Sequence, residues 1–193
     1  MSVLHTTETF TFEGAVPALG FVNTLGFFHG MTFDNVGALD KNLERHDSPQ
    51  NGYTADGVGH DLAFTYDGGG NLFHSSGETF SLKAGQFASA WEVGEQATFS
   101  AYVGGVLQGS QTVTLNQHKS VVQFGAAFMH IDQVTLSVVA GVPGPKALGG
   151  TQLGMDSVRV VWDGGIPASA TEPHHHGADM FSHLAHMSGE LLL

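Results

Sequence analysis

Alternation with a period of two governs this sequence. In "TFTFEG", Phe10 and Phe12 alternate with Thr9, Thr11 and Glu13. In "ATFSAYV", Phe99, Ala101 and Val103 alternate with Thr98, Ser100 and Tyr102. In "DQVTLSVVA", Val134, Leu136 and Val138 alternate with Gln133, Thr135 and Ser137. A strand sends successive side chains to opposite faces, so each such run is apolar on one side and polar on the other. Helix-period patterns hardly occur before the C-terminal end. Further strand-like runs are "MTFDNV", "DLAFTYDGGGN", "SVVQFG" and the run that closes at Trp162. "GETFSLKAGQFASAWE" reads as two short strands, with Phe80 and Leu82 in the first. The sum is roughly nine or ten strands spaced about 8–12 residues apart, with Gly, Pro, Asn and Asp between them. Gly104-Gly105 can take the positive φ of a tight hairpin. The pattern predicts an all-β fold, an antiparallel sandwich or barrel.

A chain of 193 residues can bury one good core. Composition shifts after Trp162, so the domain is expected over 1–165 and a His-rich linker and tail over 166–193. The formal charge is −12, with 6 Lys+Arg against 18 Asp+Glu. That balance excludes DNA and RNA as partners, because few cations are present to displace counterions from phosphates. There are no cysteines, hence no disulfides, thiolate chemistry or Cys-type zinc sites. "MSVLHTTETF" has neither a basic n-region nor an apolar h-region, so no removable Sec-type signal is expected. No apolar run reaches the ~18 residues of a membrane span. The GxSxG, HExxH, P-loop and nucleotide-fingerprint signatures are missing, and the expectation is a protein that is not an enzyme.

In "GTQLGMDSVRVVW", stepping back by twos from Trp162 passes Val160 and Val158 and reaches Asp156. Strand parity therefore puts Asp156 on the apolar face. An isolated carboxylate there must be protonated, hydrogen-bonded or bound to a cation. Calcium takes six to eight oxygens, and a chain with 27 glycines offers loop carbonyls freely. The plainer alternative is that Asp156 caps a turn at the start of the strand.

The succession "TFEG", "GMTFDNVGALD", "FSLKAGQFASAW", "FSAYVGGVLQGSQTVTL", "IDQVTLSV" and "GTQLGMDSVRV" resembles secreted bacterial jelly-roll domains. These are related in shape to carbohydrate-binding modules, and many carry a PEP-CTERM-type sorting tail, which is not visible here. The resemblance implies a two-sheet β-sandwich of jelly-roll topology with its first and last strands close together. It also implies a structural calcium at that junction, and Glu13 and Asp156 match the two acid ligands. Glu13, however, lies on the Thr9/Thr11 face rather than the Phe face. Location outside the cell, at the surface of or secreted from a bacterium, is part of the same expectation, as is binding to a glycan or to extracellular matrix.

For sugar contact the aromatic pool offers Tyr53 in a loop, Tyr102 on a polar strand face, and Trp91 after small residues, with ordinary packing as the alternative for each. The run from Asp40 to Asp61 holds Asp40, Glu44, Asp47, Asp56 and Asp61 and reads as a solvated acidic loop, with a second cation loop as the alternative, although its spacing fits neither an EF-hand nor a nonapeptide repeat. In the tail, His174, His175 and His176 are consecutive, and His183 and His186 lie at helical i, i+3 spacing. Imidazole clusters bind zinc, copper or haem iron, so this is a candidate transition-metal tail; a flexible polar tail is the alternative. The closing "MSGELLL", with the amphipathic stretch before it, resembles the C-terminal signals of type I secretion substrates. Two rival roles stand beside glycan binding: self-association through sheet edges, and metal or haem binding through the histidines.

Overall fold

The computed structural model describes residues 5–16, 20–42, 51–54, 60–67, 71–75, 77–144 and 150–164. The described residues form two antiparallel sheets packed face to face as a β-sandwich. The first sheet runs β12 (Ser120–Gln123), β8 (Phe80–Ser89), β15 (Leu153–Trp162), β6 (Asp61–Thr65), β5 (Val36–Asp40) and β2 (Phe21–Val22). β1 (Thr6–Phe10) joins the same sheet by pairing with β15. The second runs β11 (Val106–Leu115), β10 (Glu95–Val103), β13 (Gln133–Val139), β7 (Asn71–Ser75), β4 (Met31–Asp34) and β3 (Gly26–Phe28). A short ribbon pairs β9 (Glu92–Val93) with β14 (Val142–Pro143).

The sequence alternation maps onto this architecture. Ala97, Phe99 and Ala101 of β10 and Val134 and Leu136 of β13 are buried in the main core between the sheets. On the opposite face the hydroxyls of Thr98 and Thr112, and of Ser100 and Ser110, meet across β10 and β11 at 2.9 and 2.8 Å. Cross-strand pairs of this kind are what hold a solvated sheet face in register. Gly104 and Gly105 both take positive φ, 54° and 78°, and turn the β10–β11 hairpin.

Two features depart from the sequence expectation. The "GETFSLKAGQFASAWE" segment forms one long strand, β8, instead of two short ones. At its centre, a Cβ on Gly85 would lie 2.6 Å from the Phe87 ring. The glycine there makes room for an aromatic ring and does not break the strand. Second, β5 and β6 are buried at every position. The first sheet is covered on its outer side too, by a smaller cluster of Leu39, Tyr53, Leu62, Phe64, Ala90 and Trp91. Strands buried on both faces lose their alternation, which is why "DLAFT" shows none.

The first and last strands are neighbours, as the jelly-roll resemblance implies. β1 and β15 pair from Thr6 opposite Trp162 to Phe10 opposite Val158. Among the described residues no helix is long and apolar enough to cross a membrane.

Candidate functional site

The site is built by a break in one strand. Val158, Val160 and Trp162 of β15 point into the main core, as strand parity requires. Ser157 then takes φ of +50°, and the register against β8 shifts between Asp156 and Arg159. One residue in left-handed conformation acts as a β-bulge and reverses which residues face inward. Met155 and Leu153 therefore enter the main core, opposite Phe87 and Ala63 for Met155. Asp156 goes to the outer side, directly across from Gln86. The expectation that Asp156 shares a face with Val158, Val160 and Trp162 is thus corrected. The bulge lies where the neighbour of β15 changes from β6, at Gly154–Met155, to β1, which begins at Val158.

On that outer side an open cleft is lined by Asp156, Gln86, Lys41, Lys119, Tyr53 and Leu62. The cleft is small, about 20 Å³, room for a group the size of a water molecule. Asp156 is only 4% exposed. Its Oδ1 accepts the Ser157 N–H at 2.6 Å, while Oδ2 has no hydrogen-bond partner among the described residues. The Oε1 of Gln86 is in the same condition. Two acceptor oxygens thus sit on facing positions of adjacent strands with no donor among the described residues. Burial pushes Asp156 up to about 6; the Ser157 N–H, Lys119 and Lys41 act to lower it, and Glu13 acts to raise it.

Glu13 lies close enough for its charge to reach both Asp156 and Asp61. Its Oε1 accepts the His60 N–H at 2.5 Å, and Asp61 Oδ2 accepts the Gly14 N–H at 2.7 Å. Asp61, opposite Asp40 on the β5–β6 ladder, is raised above the ordinary aspartate value chiefly by burial. These two acids end buried strands and are not members of a solvated loop. Among the described residues no group of three or more His, Asp or Glu side chains converges as a metal site. Calcium at Glu13 and Asp156 therefore rests on the sequence resemblance.

The aromatic candidates are separated. Tyr53 is 4% exposed and Trp91 6%. They meet edge to face at 5.7 Å, and both donate to one acceptor, Gln152 Oε1, at 2.9 Å from the Tyr53 hydroxyl and 3.1 Å from the Trp91 indole. A Cβ on Gly154 would lie 3.1 Å from the Tyr53 ring, and one on Gly52 would lie 1.8 Å from the Ser89 carbonyl oxygen. The 51–54 segment is thus pressed onto the sheet. Tyr53 is a wall of the cleft, not the open stacking platform expected of a loop residue, and Trp91 is packed behind it. Tyr102 is half-buried on the other sheet, opposite Gln133. His174, His175, His176, His183 and His186 lie outside the described residues.

No family model matches this chain, and no curated protein matches it. Among solved structures, a DUF4465 family protein from Bacteroides caccae aligns with a TM-score of 0.55 at 8% identity, covering 80% of this chain and 98% of that one. The fold is like that of a DUF4465 protein. A second such protein, from Bacteroides ovatus, gives a TM-score of 0.46 at 9% identity over 81% of this chain and 83% of its own. TmCBM61 in complex with β-1,4-galactotriose gives 0.34 at 11% identity, over 68% and 85% respectively.

Gln86, Lys41 and Lys119 were missed by sequence reasoning. Gln86 lies mid-strand, Lys41 begins a run that reads as acidic, and Lys119 sits in the turn before β12. Nothing local marks any of them. Only the pairing of β8 with β15 makes Gln86 the neighbour of Asp156.

Proposed function

We propose that this protein is a non-enzymatic glycan-binding module of the cell exterior, and that the cleft on the outer face of the first sheet receives the sugar. The observation that carries this reading is a pair of oxygens unpartnered among the described residues, Asp156 Oδ2 and Gln86 Oε1, on facing strand positions. Buried acceptors without donors carry a desolvation cost that a ligand donor removes. Vicinal sugar hydroxyls present two donors at neighbouring positions, and each hydroxyl can also accept from an ammonium group such as Lys41 or Lys119. Placement outside the cell follows the sequence resemblance.

The test is a glycan array followed by calorimetry on the best ligand. Gln86→Leu and Asp156→Ala should each weaken binding by about tenfold or more, equivalent to losing one good hydrogen bond to a charged or buried group. Circular dichroism checks that the variants fold. No reducing ends should be released from the bound glycan. A blank array, or binding indifferent to both substitutions, overturns the reading.

A further inference from the structure

We infer that β11, the outermost strand of the second sheet, pairs antiparallel with β11 of a second copy of this chain, so that two six-stranded sheets join into one. The inference stands apart from the glycan reading, since the cleft belongs to the first sheet.

A strand at a sheet edge presents a row of unpaired N–H and C=O groups, and proteins blunt such edges by shortening them or by setting charges and prolines on them. Most edges here are blunted. β2 has two residues, β3 three and β12 four. β1 has five, with Glu8 at its centre. β11 is the exception: ten residues long, VLQGSQTVTL, with neither a charge nor a proline. It ends the second sheet, and no backbone hydrogen bond among the described residues ties it to anything but β10. Its inner side is occupied. Gln111 Nε2 donates to the Gln123 carbonyl oxygen at 2.8 Å, and a Cβ on Gly109 would lie 2.7 Å from the Ala127 Cβ. Its outward edge and solvated face remain open to a partner, and Val106 and Leu107, 64% and 54% exposed, begin the strand.

Charge and side-chain chemistry select a second copy as that partner. Two chains of formal charge −12 repel one another. Yet no Asp, Glu, Lys or Arg occurs from Gln96 to Gln117 or from Gln133 to Val139, so the solvated face of β11, β10 and β13 carries no charge. This is where two copies approach at least cost. On the same face Thr98 meets Thr112 and Ser100 meets Ser110 through their hydroxyls. Directly opposite residues of an antiparallel pair point to one side. A β11–β11 pair that continues the face therefore sets Ser110, Thr112 and Thr114 against the same hydroxyls of the copy, repeating the pairs already present. An edge paired with itself is isologous and closes at two. The far end of the second sheet is β3, too short to add a third copy, so the product is a dimer and not a filament. One strand pair buries less than the about 1,200–2,000 Å² of a standard interface, which places dissociation in the micromolar range or weaker.

The experiment is analytical ultracentrifugation of the full chain from about 1 μM to about 1 mM, the range in which an interface below standard size dissociates. A monomer–dimer equilibrium is expected, and it should strengthen as salt rises, because the like net charges are screened. Thr112 lies on the solvated face, so Thr112→Lys and Thr112→Asp spare the core; circular dichroism checks that both fold. Each variant alone should weaken the dimer about fivefold or more, since like charges then meet across the two-fold axis. An equimolar mixture of the two should restore association, because the facing charges are opposite, a rescue that misfolded variants would not give. A chain that stays monomeric throughout, oligomers larger than two, or a dimer indifferent to both substitutions overturns the proposal. So does a mixture that associates no better than its separate components.

Discussion

Glu95 offers the sharpest thermodynamic test of the sandwich. It is fully buried at the start of β10. Its Oε2 accepts a 3.2 Å hydrogen bond from Ser89 Oγ, and Oε1 has no hydrogen-bond partner among the described residues. Burial pushes its pKa from 4.5 up to about 8; the Ser89 bond opposes the rise, and the charges of Glu92 and Asp67 add to it. The folded protein therefore keeps this proton in a pH range where the unfolded chain releases it. A raised carboxyl pKa means that stability is intact below 4.5 and declines as pH climbs towards about 8. The slope is about 1.4 kcal/mol per pH unit, which amounts to a loss of about 3 kcal/mol by pH 7. Above the folded value the loss levels off. Glu95→Gln preserves the shape and the acceptor for Ser89 while removing the titration. At pH 7.5 the variant should be more stable by about 2–4 kcal/mol, after allowance for the new amide donors. For a domain of this size that raises Tm by about 5–15 °C. Urea unfolding of both proteins from pH 4.5 to 8.5 is the assay. The difference between the two curves isolates Glu95 from Asp156, which burial raises to about 6. Parallel curves, or a variant less stable at every pH, would refute a buried protonated Glu95.

Two further predictions concern the strand that carries Asp156. Ser157 adopts a left-handed conformation with φ of +50°, so Ser157→Val should destabilise by about 1–2 kcal/mol and Ser157→Gly should stabilise by up to about 1 kcal/mol; equal melts for all three would mean that the bulge is not where parity turns. The calcium expectation predicts that EDTA lowers Tm, that added Ca²⁺ restores it, and that Asp156→Asn reproduces the effect of EDTA; an unchanged midpoint removes calcium from the junction.

Period-two alternation alone determined the all-β class, the inward faces of β10 and β13, and the hairpin at Gly104-Gly105. Each is a local property: pleat geometry assigns faces residue by residue, and glycine admits positive φ wherever it stands. Tertiary structure decided the rest. Counting by twos holds only along an unbroken ladder, and nothing in "MDSVRV" announces that Ser157 interrupts it. The bulge arises where β15 exchanges β6 for β1 as its partner, a choice made by segments about a hundred or more residues upstream in the chain. That single reversal carries Asp156 from the expected core face to the outer side. There it meets Gln86 from β8 and the lysines beside β5 and β12. The acid was legible in the sequence as an anomaly. Its neighbours were not, because long-range strand pairing, not spacing along the chain, brings them together.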